Sequence, residues 1–142
     1  MATRNGSAEW RGDLKEGTGS VTVGDGVFEG AYSFSSRFEE GEGTNPEELI
    51  AAAHAACFAM ALSGVLTGNG NPPEEIRATA RVHLRNIDGA PTIARIDLDV
   101  AATVSGLDEE AFLAQAQEAK AGCPVSRALA GVPEIELTAR LA

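Results

Sequence analysis

Over residues 1–36 apolar positions alternate with small polar ones in three short stretches, "SAEW", "GSVTVG" and "GAYSFSS". Glycines break the pattern at Gly12, Gly17, Gly19, Gly24, Gly26 and Gly30. A period of two punctuated by turn residues predicts a β-meander. The period then changes. After the loop "GEGTN", Asn45 or Thr44 can cap a helix, Pro46 suits its first position, and Glu47 and Glu48 suit the positive end of its dipole. From Leu49 to about Leu66 the chain is apolar on nearly every face, which predicts a long central helix buried all round.

Alternation resumes in "IRATARVHLR" (76–85) and "TIARIDLDVAATV" (92–104), and "NIDGAP" between them predicts a hairpin. Asp108 caps an amphipathic segment, "EEAFLAQAQEAKAG", with Phe112, Leu113 and Ala116 inward, and Gly122 ends it. Cys123-Pro124 opens a short helix to about Ala130, and "EIELTARL" is a final strand. The expected order is βββ-α-ββ-αα-β, an α+β fold with an antiparallel sheet in a single domain of residues 1–142. A helix apolar on every side needs more cover than one six-stranded sheet offers, which points to a partner subunit.

Charge narrows the classes. At a net −10 over 142 residues, with no basic stripe, the surface repels polyphosphate and argues against nucleic acid as a partner. The N-terminal "MATRNGSAEWRGD" lacks the apolar core of a signal peptide. The Leu49–Leu66 run has the length of a membrane span, but it is mostly alanine, contains His54, Ser63 and Gly64, and has no Lys/Arg flank, so no membrane span is expected. The expected location is the cytoplasm, where two cysteines are reduced or redox-active rather than a permanent staple.

Those cysteines are Cys57 in "AAHAACFAM" and Cys123 in "AKAGCPVS". On local evidence Cys57 reads first as core filler, with metal ligand, disulfide partner and nucleophile as the alternatives. No CxxC or HxxxH spacing supports a metal, and His83 lies on a presumed strand. Apolar burial raises a thiol pKa, so a reactive Cys57 needs a nearby cation. His54, one turn earlier, is one route, although a core histidine hydrogen-bonded to backbone is the plainer reading. Arg37 in "SSRFEEGEGTNPEE", placed at the end of a strand, is the better candidate, because its fork can hold a carboxylate and still point an N–H at a thiolate. At 100° per residue Glu48 falls about 180° from Cys57 and Glu47 about 80°, so Glu47 is the favoured carboxylate. Cys123, just before Pro124 at a helix start, is the more acidic thiol by local physics.

The stretches "RFEEGEGTNPEELIAAAHAACFAMAL", "AKAGCPVSRAL" and "AEWRGDLKEGTGSVTV" together resemble the OsmC branch of the OsmC/Ohr family of thiol peroxidases, over essentially the whole chain. The resemblance implies an OsmC-like fold on an intertwined homodimer and a peroxidase that reduces organic hydroperoxides to alcohols. It makes Cys57 the peroxidatic residue, passing through a sulfenic acid, and Cys123 the resolving one that forms a Cys57–Cys123 disulfide. It places Glu47 on the "TNPE" glutamate and Arg37 on the "RFE" arginine, a position that Ohr sequences fill from nearer the N-terminus. His54 stands where Ohr-like sequences carry an aromatic, which implies a structural role. An external dithiol, by family suggestion a lipoyl group, would reset the pair, and no flavin, nicotinamide or haem motif calls for a cofactor. Against local acidity, the resemblance makes Cys57 the nucleophile. The alternative reading is a dimer that binds a lipid or other small molecule and carries a redox-sensing cysteine pair.

Overall fold

The computed structural model describes residues 2–142. Along the chain run β1 (Gly6–Arg11), β2 (Thr18–Val23), β3 (Phe28–Tyr32), α1 (Phe34–Phe38), α2 (Pro46–Gly68), β4 (Glu75–Ile87), β5 (Ala90–Thr103), α3 (Glu109–Gly122), α4 (Pro124–Ala128) and β6 (Glu134–Leu141). The class is α+β, as the changes of period predict, but the strands form two three-stranded sheets and not one of six. Two compact units result, the first ending at Leu49 and the second running Ile50–Ala142.

In the first unit β1, β2 and β3 pair antiparallel as the expected meander. The third strand stops at Tyr32, earlier than its alternation suggests. Ser33 and Ser36 are the reason: each side-chain oxygen accepts the other's backbone N–H, at 3.1 and 2.8 Å, and this capping box starts α1. Arg37 therefore lies on a helix and not at a strand end, a correction to the sequence reading. The loop back to β3 needs Gly43, whose φ is +112° and whose place would put a Cβ 2.6 Å from the Ala31 carbonyl oxygen. Thr44 N–H then donates to that same carbonyl at 2.8 Å. Of the two candidate caps for α2, Asn45 is the one used: its Oδ1 accepts the Glu48 N–H at 2.8 Å, while its amide donates to the Ser36 carbonyl.

In the second unit β4 and β5 form the expected hairpin. Asp88 (φ +53°) and Gly89 (φ +83°) supply the two left-handed positions of a tight turn. β6 pairs with β5 in parallel, Ile96 opposite Ile135 and Val100 opposite Ala139, so the sheet is mixed and the expected antiparallel sheet is corrected. The cause lies in the connection: α3 and α4 fill the chain between β5 and β6, and a crossover of that length returns a strand in the same direction.

One core holds this unit together. α2 contributes Phe58, Leu62 and Leu66, β5 contributes Leu98, Val100 and Ala102, and α3 contributes Phe112, Ala116 and Ala119. The other face of the sheet is charged, with Asp97 accepting from His83 and Arg95 at 2.7 Å each. Asp108 caps α3, its Oδ1 accepting the Ala111 N–H at 2.8 Å. Leu113, expected inward, is 45% exposed, because the buried stripe of α3 runs through Phe112, Ala116 and Ala119 and leaves it to one side.

The expectation for α2 also changes. His54, Phe58, Leu62 and Leu66, four residues apart, are buried, whereas Ala52, Ala53, Ala56, Met60 and Gly64 are exposed, Met60 by 76%. By length and composition alone α2 could cross a membrane, yet its buried stripe fills a protein core. Within one chain the helix is thus covered along one side, not all round. Leu62→Ala should lower stability by about 2–5 kcal/mol and Leu113→Ala by less than about 0.5 kcal/mol. Urea unfolding of the two variants measures both, and equal losses would contradict the assigned stripe.

Candidate active site

The two cysteines, 66 residues apart in sequence, meet in the second unit with their sulfur atoms 3.1 Å apart and both thiols free. α2 presents Cys57 one residue before the core side chain Phe58, and Cys57 keeps partial access to solvent. Cys123 is fully buried and is pinned from both directions. Its N–H ends α3 by donating to the Ala119 carbonyl at 2.8 Å, and its carbonyl accepts the Arg127 N–H of α4 at 3.0 Å. Pro124 in the first helical position fixes that corner.

The two sulfurs differ electrostatically. Burial pushes Cys57 above the usual thiol range; the Val125 N–H opposes this, and the neighbouring Cys123 adds to it. Burial also pushes Cys123 upward, but hydrogen bonds from the Ser126 N–H, the Cys57 thiol, the Ser126 hydroxyl and the Val125 N–H outweigh it and hold Cys123 below the usual range. Within this unit, then, Cys123 is the more acidic thiol, in line with its position at a helix start. The second unit alone does not make Cys57 a thiolate.

His54 is fully buried, and its Nε2 lies 2.7 Å from the Ser126 Oγ. The expected backbone partner is thus replaced by a side chain from α4. Burial holds His54 below its ordinary pKa, so it stays neutral and cannot serve Cys57 as a cation. Sequence reasoning passed over Ser126. The available signal was a matched spacing: His54 precedes Cys57 by three residues and Ser126 follows Cys123 by three, so joining the two sulfurs also joins the other pair.

The first unit brings together the other two expected residues. Arg37 Nη2 donates to Glu47 Oε1 at 2.7 Å, and its Nε lies 3.2 Å from both carboxylate oxygens. Glu47 is buried, and Arg37 is more open, its guanidinium 5.3 Å from the centre of the Phe38 ring. This leaves Nη1 for a further acceptor. Glu48 instead accepts from the Thr44 hydroxyl at 2.9 Å, so the carboxylate that faces Arg37 is that of Glu47. Beside Arg37 a pocket of about 230 Å³ is lined by Trp10, Leu14, Tyr32, Phe34 and Phe38. Among the described residues no group of three His, Cys, Asp or Glu side chains is arranged to hold a metal ion.

Comparison with known proteins places this arrangement. The chain is 48% identical to the peroxiredoxin OsmC of Escherichia coli (strain K12) over 127 residues, 89% of each protein. It is 31% identical to the organic hydroperoxide resistance protein OhrB of Bacillus subtilis (strain 168) over 121 residues, covering 84% of this chain and 87% of OhrB. In structure it resembles an organic hydroperoxide resistance protein OsmC from Legionella pneumophila, with a TM-score of 0.72 and 25% identity over 100% of this chain and 99% of the other. An OsmC-like protein from Mycoplasma pneumoniae shares the fold at a TM-score of 0.76 and 15% identity, over 99% and 98% of the two chains. The family of OsmC-like proteins matches residues 39–138, a span that holds both cysteine motifs and Glu47. With two paired thiols, two three-stranded sheets and relatives on both the OsmC and Ohr sides, the chain belongs to the OsmC-like protein family.

Proposed function

We propose that this protein is a thiol peroxidase that reduces organic hydroperoxides to alcohols in the cytoplasm and is reset by an external dithiol. The observation that carries the reading is the 3.1 Å approach of two free thiols from separate motifs. The names of the relatives, peroxiredoxin and organic hydroperoxide resistance protein, support a peroxidase-type role. Residues 1–142 act as one catalytic domain, and two chains pair. The exposed stripe of Ala52, Ala56, Met60 and Gly64 supports pairing, since its small side chains allow close approach and its apolar surface gains from cover.

In the peroxide step the Cys57 thiolate attacks the distal peroxide oxygen, the O–O bond breaks, and the alkoxide leaves, taking up a proton to become the alcohol. Cys57 is then a sulfenic acid. By the family resemblance, Arg37, held by Glu47, is the cation that stabilises the Cys57 thiolate. Apolar walls around the nucleophile favour a bulky organic peroxide over hydrogen peroxide. Cys123 next displaces the sulfenic oxygen to give the disulfide, and an external dithiol, for which a lipoyl group is the leading candidate, reduces it by exchange.

Mixing the protein with cumene hydroperoxide and dihydrolipoamide should give sustained peroxide loss, and without the dithiol both thiols of each chain should disappear together. Peroxide loss no faster than in buffer, or a thiol titre unchanged by peroxide, would end this reading. Light scattering on the same sample should give twice the chain mass, and a monomer would remove the pairing.

A further inference from the structure

The sulfur pair has a geometry of its own, whatever reaction it serves. Cys57 Sγ and Cys123 Sγ lie 3.1 Å apart as free thiols. One stands on α2 and the other at the corner where α3 ends and α4 begins, so packed helices set the spacing. Among the described residues no third Cys, His, Asp or Glu joins the pair as a metal-binding group. Coordination number therefore selects what the pair can hold. A structural zinc site needs four protein ligands, and here there are two. A soft ion held linearly between two thiolates would require the sulfurs to move well apart. Trivalent arsenic that already carries one carbon substituent needs only two more bonds, and like other soft centres it prefers thiolate sulfur. It is also pyramidal. Its As–S bonds stand near a right angle and hold their two sulfurs about as close as they already lie in this protein.

We infer that Cys57 and Cys123 together form a chelating site for monosubstituted trivalent arsenicals, R–As(OH)2, which they bind as a cyclic dithioarsonite. The site rests on the placement of the two thiols and not on the peroxidase reading. Two As–O bonds and two S–H bonds break, two As–S bonds form, and each thiol hydrogen leaves with one hydroxyl as water. Arsenic stays trivalent and neither sulfur is oxidised, so no co-reactant is needed. Access orders the two bonds. Cys57 keeps partial access to solvent and takes the arsenical first, because Cys123 is fully buried. With arsenic on Cys57, the second thiol is already beside it and the ring closes within the chain. That intramolecular step makes the chelate tighter than a single As–S bond by about a hundredfold.

Phenylarsine oxide, which hydrates to this form in water, is the probe. Reduced protein is mixed with one equivalent, washed with mercaptoethanol to strip singly bonded arsenic, and desalted. Native mass spectrometry then counts bound phenylarsenic, and thiol titration counts free cysteines. The wild-type chain should keep one phenylarsenic group and show neither thiol. Dimercaptopropanol, a competing dithiol, should return both. Cys123→Ser should take up the reagent but lose it in the wash, with an affinity weaker by about a hundredfold. Cys57→Ser should take up almost none, because its remaining thiol is fully buried. A wild-type chain that leaves the wash without arsenic would overturn the inference, and that measurement needs no variant to fold. Arsenic held by either single-cysteine variant as firmly as by the wild type would overturn it too. Neither result bears on peroxide consumption, and a protein inert to peroxide would still be expected to hold the arsenical.

Discussion

Cys57→Ser should abolish consumption of organic hydroperoxide, whereas Cys123→Ser should complete one turnover per chain and stop as a sulfenic acid. The contrast follows from roles, not from acidity. In the second unit Cys123 is the thiol held below its usual pKa and Cys57 the one held above it. A prediction from that unit alone would reverse the two roles. Access points the other way: Cys123 is fully buried at the junction of α3 and α4, while Cys57 keeps partial access to solvent. The acidity of Cys123 fits a resolving residue, since a resolving thiol must be a thiolate when the sulfenic acid forms beside it. Peroxide loss in a xylenol-orange assay, with dimedone labelling of each variant, measures the pattern. Activity surviving in Cys57→Ser with none in Cys123→Ser would exchange the assignments.

The second large effect concerns the cation. Arg37→Met should reduce the second-order rate with cumene hydroperoxide by about ten- to a hundredfold, the scale of losing one charge-assisted hydrogen bond. The pH dependence has a definite sign. Burial raises the Cys57 pKa, and only the thiolate reacts, so the rate climbs as pH rises through that pKa. Removing a cation that favours the thiolate moves this climb to higher pH. The Arg37→Met deficit should therefore be large near neutral pH and shrink in alkali. Arg37→Lys keeps the charge but cannot bind Glu47 through two nitrogens, so it should fall between wild type and Arg37→Met. A pH–rate profile for Arg37→Met that overlays the wild type would rule out Arg37 as the source of Cys57 activation.

Features carried by near neighbours in sequence are legible from the residues alone. Asp108 caps its helix, Asp88-Gly89 turns its hairpin, and Asn45-Pro46 opens α2, because each depends on side chains within about four residues of the backbone they serve. Alternation misleads once. "SFSSRF" has the look of a strand, but two serines spaced three apart bond each other's backbone and move Arg37 onto a helix. Leu113 fails differently, since amphipathicity marks a face of a helix to within a residue or so, and the stripe that packs is chosen by what lies opposite.

By itself, then, the sequence determined every element but the short α1, the α+β class, the pairing of Arg37 with Glu47 over Glu48, and the acidity of Cys123, all properties of spacing or of a helix end. Tertiary structure decided that β6 runs parallel to β5, that one stripe of α2 is buried while the other is bare, and that His54 meets Ser126. It also decided that two sulfurs 66 residues apart come within 3.1 Å. The reason is one of range. Capping hydrogen bonds and side-chain periodicity act within a turn or two of the chain, whereas which faces meet depends on where crossovers such as α3–α4 return it, and an alanine-rich helix such as α2 offers nearly the same surface on every side.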